Sequence, residues 1–332
     1  MRNSIIRFGV TLAVLGLVGC GGGSGGSTSV AVDPPTGGGT TTPTTPVDPI
    51  ATYSTVDILC DYAQNTFNAD ESVNTTSDST WSCAGDIRSL SANGVPDHEV
   101  GTFPNVNNPN AISQQNVQKD FSLSPVIISE TGISVKETGY ALNGVKFDPN
   151  TGGSCNSDGS SCSQANPTGE WRLEAVGQDS FDFGDDMNHA HVQPGGAYHY
   201  HGMPELYVES FGKGEAMTLI GWTADGFPMY ARYGYTVADD ASSGIKILEP
   251  SWQLKAVPDD GRPSVDLYAM GTFSQDYEYV DGLGDLDECN GRTGVTPEFP
   301  EGIYYLMVTD SYPFVGRCLK GEFEEDTLPP PM

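Results

Sequence analysis

Four of the chain's five histidines fall within residues 189–201, in the stretch "DDMNHAHVQPGGAYHYHGMPE" from Asp185 to Glu205. His189 and His191 form one His-x-His pair, His199 and His201 a second, and Pro194-Gly195-Gly196 lies between them. Neutral imidazole is the commonest side-chain metal ligand, so two such pairs in mirrored order point to a bound cation. Folded as a hairpin about Gly195, facing residues have numbers summing to 390: His191 opposes His199, and His189 opposes His201. Strand side chains alternate between faces, which puts all four imidazoles on one side, with opposed Cβ atoms about 4.5–5.5 Å apart. Met187 then opposes Met203, and Asp185 opposes Glu205. Imidazole sets suit Zn(II), Cu(II), Ni(II) or Fe(II), and two thioethers beside them favour copper over zinc. The fifth histidine, His98, stands between Asp97 and Glu99 as a remote ligand, a partner behind the ligands, or an ordinary loop residue.

What must position these rings is a β framework. On the far face of the same hairpin Ala190 meets Tyr200 and Val192 meets Tyr198, as a core-facing surface would have. "TGYALNGVKFDP" alternates and breaks at Asn143-Gly144, and "MTLIGWTADGFPMYARYGY" breaks at Asp225-Gly226, both strong two-residue turn signals. Pro228 suggests an edge strand or a bulge in that second hairpin. "GIYYLMVTD", from Gly302, reads as a buried strand. Residues 60–66 are expected as a short helix. The expectation is a mainly β chain, a single β-sandwich or barrel-like domain over 51–332 with long loops and few short helices.

At this point the residues are familiar. "AYHYHGMP", preceded by "NHAHVQP" and followed by "IGWTADGFPMYARYGY", resembles the YHYH family of bacterial proteins, named for the string Tyr198-His199-Tyr200-His201. "NGVPDHEVGTFPN", "ALNGVKFDP" and "LDECNGRTGVTPEFPEGIYYLMVTDSYPF" extend the likeness over about residues 90 to 318. Met229 and Ala231-Arg232 depart from the "DGFPIYGP" to which that family tends. The resemblance implies a pattern of residues and assigns no reaction.

The N-terminus supplies an address. Arg2 and Arg7 precede a short apolar run, and Leu17-Val18-Gly19-Cys20 is similar to a bacterial lipobox, so residues 1–19 are expected as a lipoprotein signal peptide with Cys20 lipidated. Gly follows Cys20 where an inner-membrane retention signal would carry an acid, which favours the outer membrane of the cell envelope. Residues 20–50, rich in Gly, Ser, Thr and Pro, are expected as a tether. The only membrane contact expected is through that anchor. Net charge is −29, from 44 acidic and 15 basic residues, which argues against nucleic acid as a partner and raises the local concentration of cations.

Beyond Cys20 six cysteines remain, an even number that suits disulfides in an exported protein. Cys155 and Cys162 flank a loop-forming run and pair first; Cys60 with Cys83 and Cys289 with Cys318 follow by proximity. No CxxC occurs, and paired cysteines would leave no thiolate for a blue-copper centre. In "DGLGDLDECNGR", Asp281, Asp285, Asp287 and Asn290 stand among glycines as a candidate Ca²⁺ loop, though not an EF-hand, with a solvated turn the preferred reading in a chain this acidic. No HExxH, nucleophile elbow or phosphate loop occurs. Three functions fit. One is a metal-binding surface lipoprotein. Another is a metalloenzyme with an open coordination position and Asp225, Asp185 or Glu205 as general base. The third is a non-catalytic module that binds glycan or protein.

Overall fold

A computed structural model describes residues 59–329, all within the unit Ala51–Met332; the expected signal peptide, Cys20 and the whole of the expected tether lie outside them. The described chain is mainly β. Strands β1 (Tyr62–Asn68), β2 (Thr75–Ala84), β3 (Ile87–Ala92) and β4 (Val117–Ser122) form an antiparallel sheet in that order. Residues 62–66, expected as helix, are therefore strand. All seven residues of β1 pair with β2, from Tyr62 opposite Trp81 to Asn68 opposite Thr75, and the Cys60–Cys83 disulfide fastens the strand's start.

After β5 (Ile133–Ser134) come β6 (Gly139–Ala141) and β7 (Lys146–Phe147), joined by the Asn143-Gly144 turn. A small sheet follows, β8 (Ser154–Cys155), β9 (Cys162–Ser163) and β10 (Trp171–Arg172), stapled by Cys155–Cys162. Next are β11 (Ala190–Val192), β12 (Tyr198–Tyr200) and the short helix Glu205–Ser210. The Asp225-Gly226 turn joins β13 (Thr218–Thr223) to β14 (Pro228–Ala231). Two ribbons, β15 (Tyr233–Tyr235) with β16 (Ile245–Ile247) and β17 (Trp252–Leu254) with β18 (Tyr277–Tyr279), precede β19 (Gly291–Gly294) and β20 (Ile303–Val308). Last is β21 (Cys318–Leu319), which pairs with β5 and carries the Cys289–Cys318 bridge.

The main sheet has the order β11-β12-β7-β6-β13-β14-β20-β19 and mixes parallel with antiparallel pairs. Its two ends stay apart, so no barrel closes among the described strands. Instead the four-stranded sheet lies on one face of it: Trp81, Leu90 and Phe121 pack against Tyr140, Leu142, Leu219 and Trp222. Side chains of this size contribute roughly 1.5–3 kcal/mol each when fully buried, which fixes the two layers together. Contrary to the edge-strand expectation for Pro228, β14 is an interior strand. Pro228 opens it ahead of the residues that pair with β20, where its missing N–H costs no ladder bond, and the register shift falls on β13 between Leu219 and Gly221.

Candidate metal centre

The hairpin forms in the expected register, Ala190 opposite Tyr200, His191 opposite His199 and Val192 opposite Tyr198. Gly195 and Gly196 turn the chain at φ 100° and 89°, where residues with a Cβ are strained. At Gly196 a Cβ would also collide with Ser113 Oγ. Tyr198 and Tyr200 face the core and are 1% and 0% exposed. The turn and the alternation of faces together hold His191 and His199 on the opposite side.

His191, His199 and His201 converge there, with ligand nitrogens all within 4.8 Å of one another. Ring centroids lie 4.6–4.7 Å apart, and Nε2 of His191 is 3.2 Å from Nε2 of His201. Ligands on a tetrahedral ion at ~2.0–2.1 Å would be about 3.3 Å apart, so the spacing fits a common ion. The outward ring nitrogens are engaged. His191 Nδ1 meets Asp185 Oδ1 at 2.5 Å, and His199 Nδ1 donates to the Ala197 carbonyl at 3.2 Å. His201 hydrogen-bonds the backbone of Asp148. With Nδ1 of His191 and His199 held this way, their Nε2 lone pairs are left for an ion. Phe183 stacks on His191 with ring planes 18° apart and closes one side.

His199 and His201 are buried, His201 at 5% exposure and His199 at 1%, while His191 at 9% is the most open. Burial holds His199 well below the ordinary imidazole value, with His201 and His191 adding to the effect; burial and His191 bring His201 down to about 4. Lone pairs therefore stay available in acid.

Other predicted residues lie elsewhere. His189 does not join the trio, because the tight turn Asp186–Ala190 puts it at φ 49° and delays the strand to Ala190. Its Nδ1 donates instead to the Met203 carbonyl at 2.8 Å. Met203 packs in the core at 1% exposure, and Met187 is 49% exposed, so the thioether argument for copper loses its geometric basis. His98 belongs to the tyrosine face, with Nε2 at 2.7 Å from Tyr200 Oη. Asp225 is committed to its turn, accepting from Thr223 and from the N–H groups of Lys320 and Gly321. Glu205 pairs with Arg232.

The acidic loop does not assemble into a cage either. Asp285 pairs with Lys246, Asp287 with Lys320 and Tyr304, and the Asn290 amide donates to the Met307 carbonyl and Thr309. Asp281 accepts from Tyr279. Among the described residues the three histidines are the one cluster of His, Cys, Asp or Glu side chains gathered closely enough to share an ion. Nothing in the sequence spacing announced the residues beside it. Lys146 sits opposite His199 through a parallel pairing, and Asp148 binds both Lys146 Nζ at 3.0 Å and Gln193 Nε2 at 3.1 Å.

The profile described as "YHYH protein" matches residues 118–321, more than half of the chain. The chain belongs to the YHYH family. The YHYH match takes in the whole histidine hairpin and all of the eight-stranded sheet, and it begins after β3 and after His98. Neither the curated proteins nor the solved structures give a significant match.

Proposed function

We propose that this YHYH protein binds one transition-metal ion, copper or zinc, through His191, His199 and His201, as a lipoprotein held by Cys20 in the bacterial outer membrane. The convergence of three imidazoles on one point, with their outward nitrogens held by Asp185, Ala197 and the Asp148 backbone, carries the reading. A histidine ligand whose other nitrogen meets a carboxylate is oriented and made more basic, which is the role of Asp185. Three disulfides suit the oxidising compartment that such an address implies. The acidic surface concentrates cations around the site.

Elemental analysis of protein purified without affinity metals tests this, with about one copper or zinc per chain expected. No metal in folded protein, even after exposure to both ions, would sink the reading. Asp185→Asn is expected to weaken binding roughly 10–100-fold, because the neutral amide no longer stabilises a cationic metal–imidazole unit. Isothermal titration of wild type and variant reads the change; equal affinities would leave Asp185 without that role.

One observation favours a second reading. Three protein ligands, rather than the four expected, leave a coordination position for water, as in catalytic zinc and copper sites. Metal-dependent hydrolysis or oxidation that is lost in His199→Ala would distinguish this from storage.

A further inference from the structure

The metal accounts for the histidines of the Tyr-His-Tyr-His string and leaves its tyrosines without a role beyond packing. Tyr200 has more than packing around it. It is fully buried, it lies between two of the proposed ligands in the chain, and its hydroxyl reaches through the core to His98, 102 residues earlier. The tautomer of His98 follows from its partners. Nδ1 lies 2.9 Å from the Glu99 carbonyl, which only accepts, so Nδ1 carries the proton. Nε2 is then a bare lone pair, 2.7 Å from the Tyr200 oxygen, and the phenol donates to it. Asn143 Nδ2 donates to the same oxygen at 3.1 Å and to Asp97 Oδ1 at 2.8 Å, holding the phenol from its other side.

A buried phenol that loses an electron becomes a strong acid, and a cation radical in the core would be prohibitively costly. Oxidation is accessible only where the proton has a base within hydrogen-bond reach, about 2.6–3.2 Å. His98 meets that condition. Ring contacts from Tyr200 to Phe147 at 5.1 Å, Tyr198 at 5.7 Å and Tyr207 at 6.1 Å surround it with polarisable groups and keep water away.

We propose that Tyr200 and His98 form a proton-coupled redox pair serving the metal centre: an electron passes from the Tyr200 ring to the oxidised site while the phenolic proton moves to His98 Nε2. This rests on the metal reading and narrows it to copper, since zinc exchanges no electron. The oxidant class is a peroxide. Cu(I) supplies one electron to hydrogen peroxide and Tyr200 the second; the O–O bond breaks to two hydroxides. The products are Cu(II), a neutral tyrosyl radical and His98 protonated at Nε2. The pair would thereby draw the oxidising equivalent away from the ligand imidazoles.

The test is freeze-quench EPR of full-length protein loaded with Cu(I) and mixed with hydrogen peroxide. A neutral tyrosyl signal is expected to accompany Cu(II), to change its hyperfine pattern with ring-deuterated tyrosine, and to fall at least tenfold in Tyr200→Phe. His98→Asn is expected to slow radical formation at least tenfold with copper uptake unchanged. Ligand oxidation to oxo-histidine, read by mass spectrometry, should rise in Tyr200→Phe. A radical that persists in Tyr200→Phe, or forms at the same rate in His98→Asn, overturns the pair. If copper uptake measured on the same samples is nil, the metal reading fails separately. Photogenerated Ru(III) polypyridyl then oxidises the metal-free protein, and a Tyr200 radical dependent on His98 supports the pair, whereas a radical elsewhere overturns it.

Discussion

Alanine at His199 is expected to remove high-affinity metal binding, whereas alanine at His189 leaves it unchanged. His199 is one of three nearly equidistant rings, 4.6 Å from each of the other two by centroid. Its loss leaves two imidazoles for an ion that needs at least three protein ligands. The affinity should fall by more than the roughly 10–100-fold that loss of a supporting partner costs. His189 lies in the same sequence pattern but bonds the Met203 carbonyl, so its truncation removes one hydrogen bond and no ligand. Competition titrations with a chromogenic chelator read both variants, and circular dichroism controls for folding. His199→Asn, closer in volume, covers the case in which the alanine cavity perturbs the hairpin. Equal losses at His189 and His199 would place the ion nearer the start of β11 than the trio.

That contrast between His189 and His199 marks what the sequence could and could not disclose. The hairpin was legible because three local signals agreed: the Gly-Gly turn, period-two alternation and small residues facing tyrosines. The same logic placed the Asn143-Gly144 and Asp225-Gly226 turns and the buried strand at Ile303–Val308. His189 escaped it because strand pairing stops one residue inside the pattern. The Asp186 carboxylate accepts from the N–H of Asn188 and of Gly101, which makes a turn where alternation alone would continue the strand. Lys146 and Asp148 escaped because β7 reaches β12 through a parallel pairing, which no short-range pattern encodes. Residues 62–66 were misread as helix because what decides them is β2 and a disulfide, both distant in the chain. The contact of His98 with Tyr200 had no local signal; a gap of 102 residues separates the partners.

Acid is expected to destabilise the metal-free protein through the buried histidines, beginning well above the pH at which they protonate in the fold. Burial, followed by the neighbouring His191, lowers His201 from 6.5 to about 4, and His199 moves in the same direction. Above about pH 6.5 both rings are neutral whether the chain is folded or not, and no proton linkage acts. Below it the unfolded chain takes up protons that the folded chain refuses, so folding free energy declines as pH falls. The decline from His201 ends near pH 4, where the folded form also protonates. A difference of this size corresponds to roughly 3 kcal/mol from His201 alone, a large share of the 5–15 kcal/mol that holds a typical domain. Carboxylate protonation runs concurrently and relieves self-repulsion in a chain of net charge −29, which opposes the trend. The decisive quantity is therefore a difference: urea melts of wild type and His201→Gln at pH 7.5, 5.5 and 4.5. The variant, whose side chain does not titrate, should lose less stability over that interval, with the gap approaching the figure above. Bound metal should suppress the wild-type decline, because an ion that occupies the lone pairs excludes protons from them. Parallel curves for the two proteins would mean that the imidazoles are solvated in solution rather than enclosed against one another.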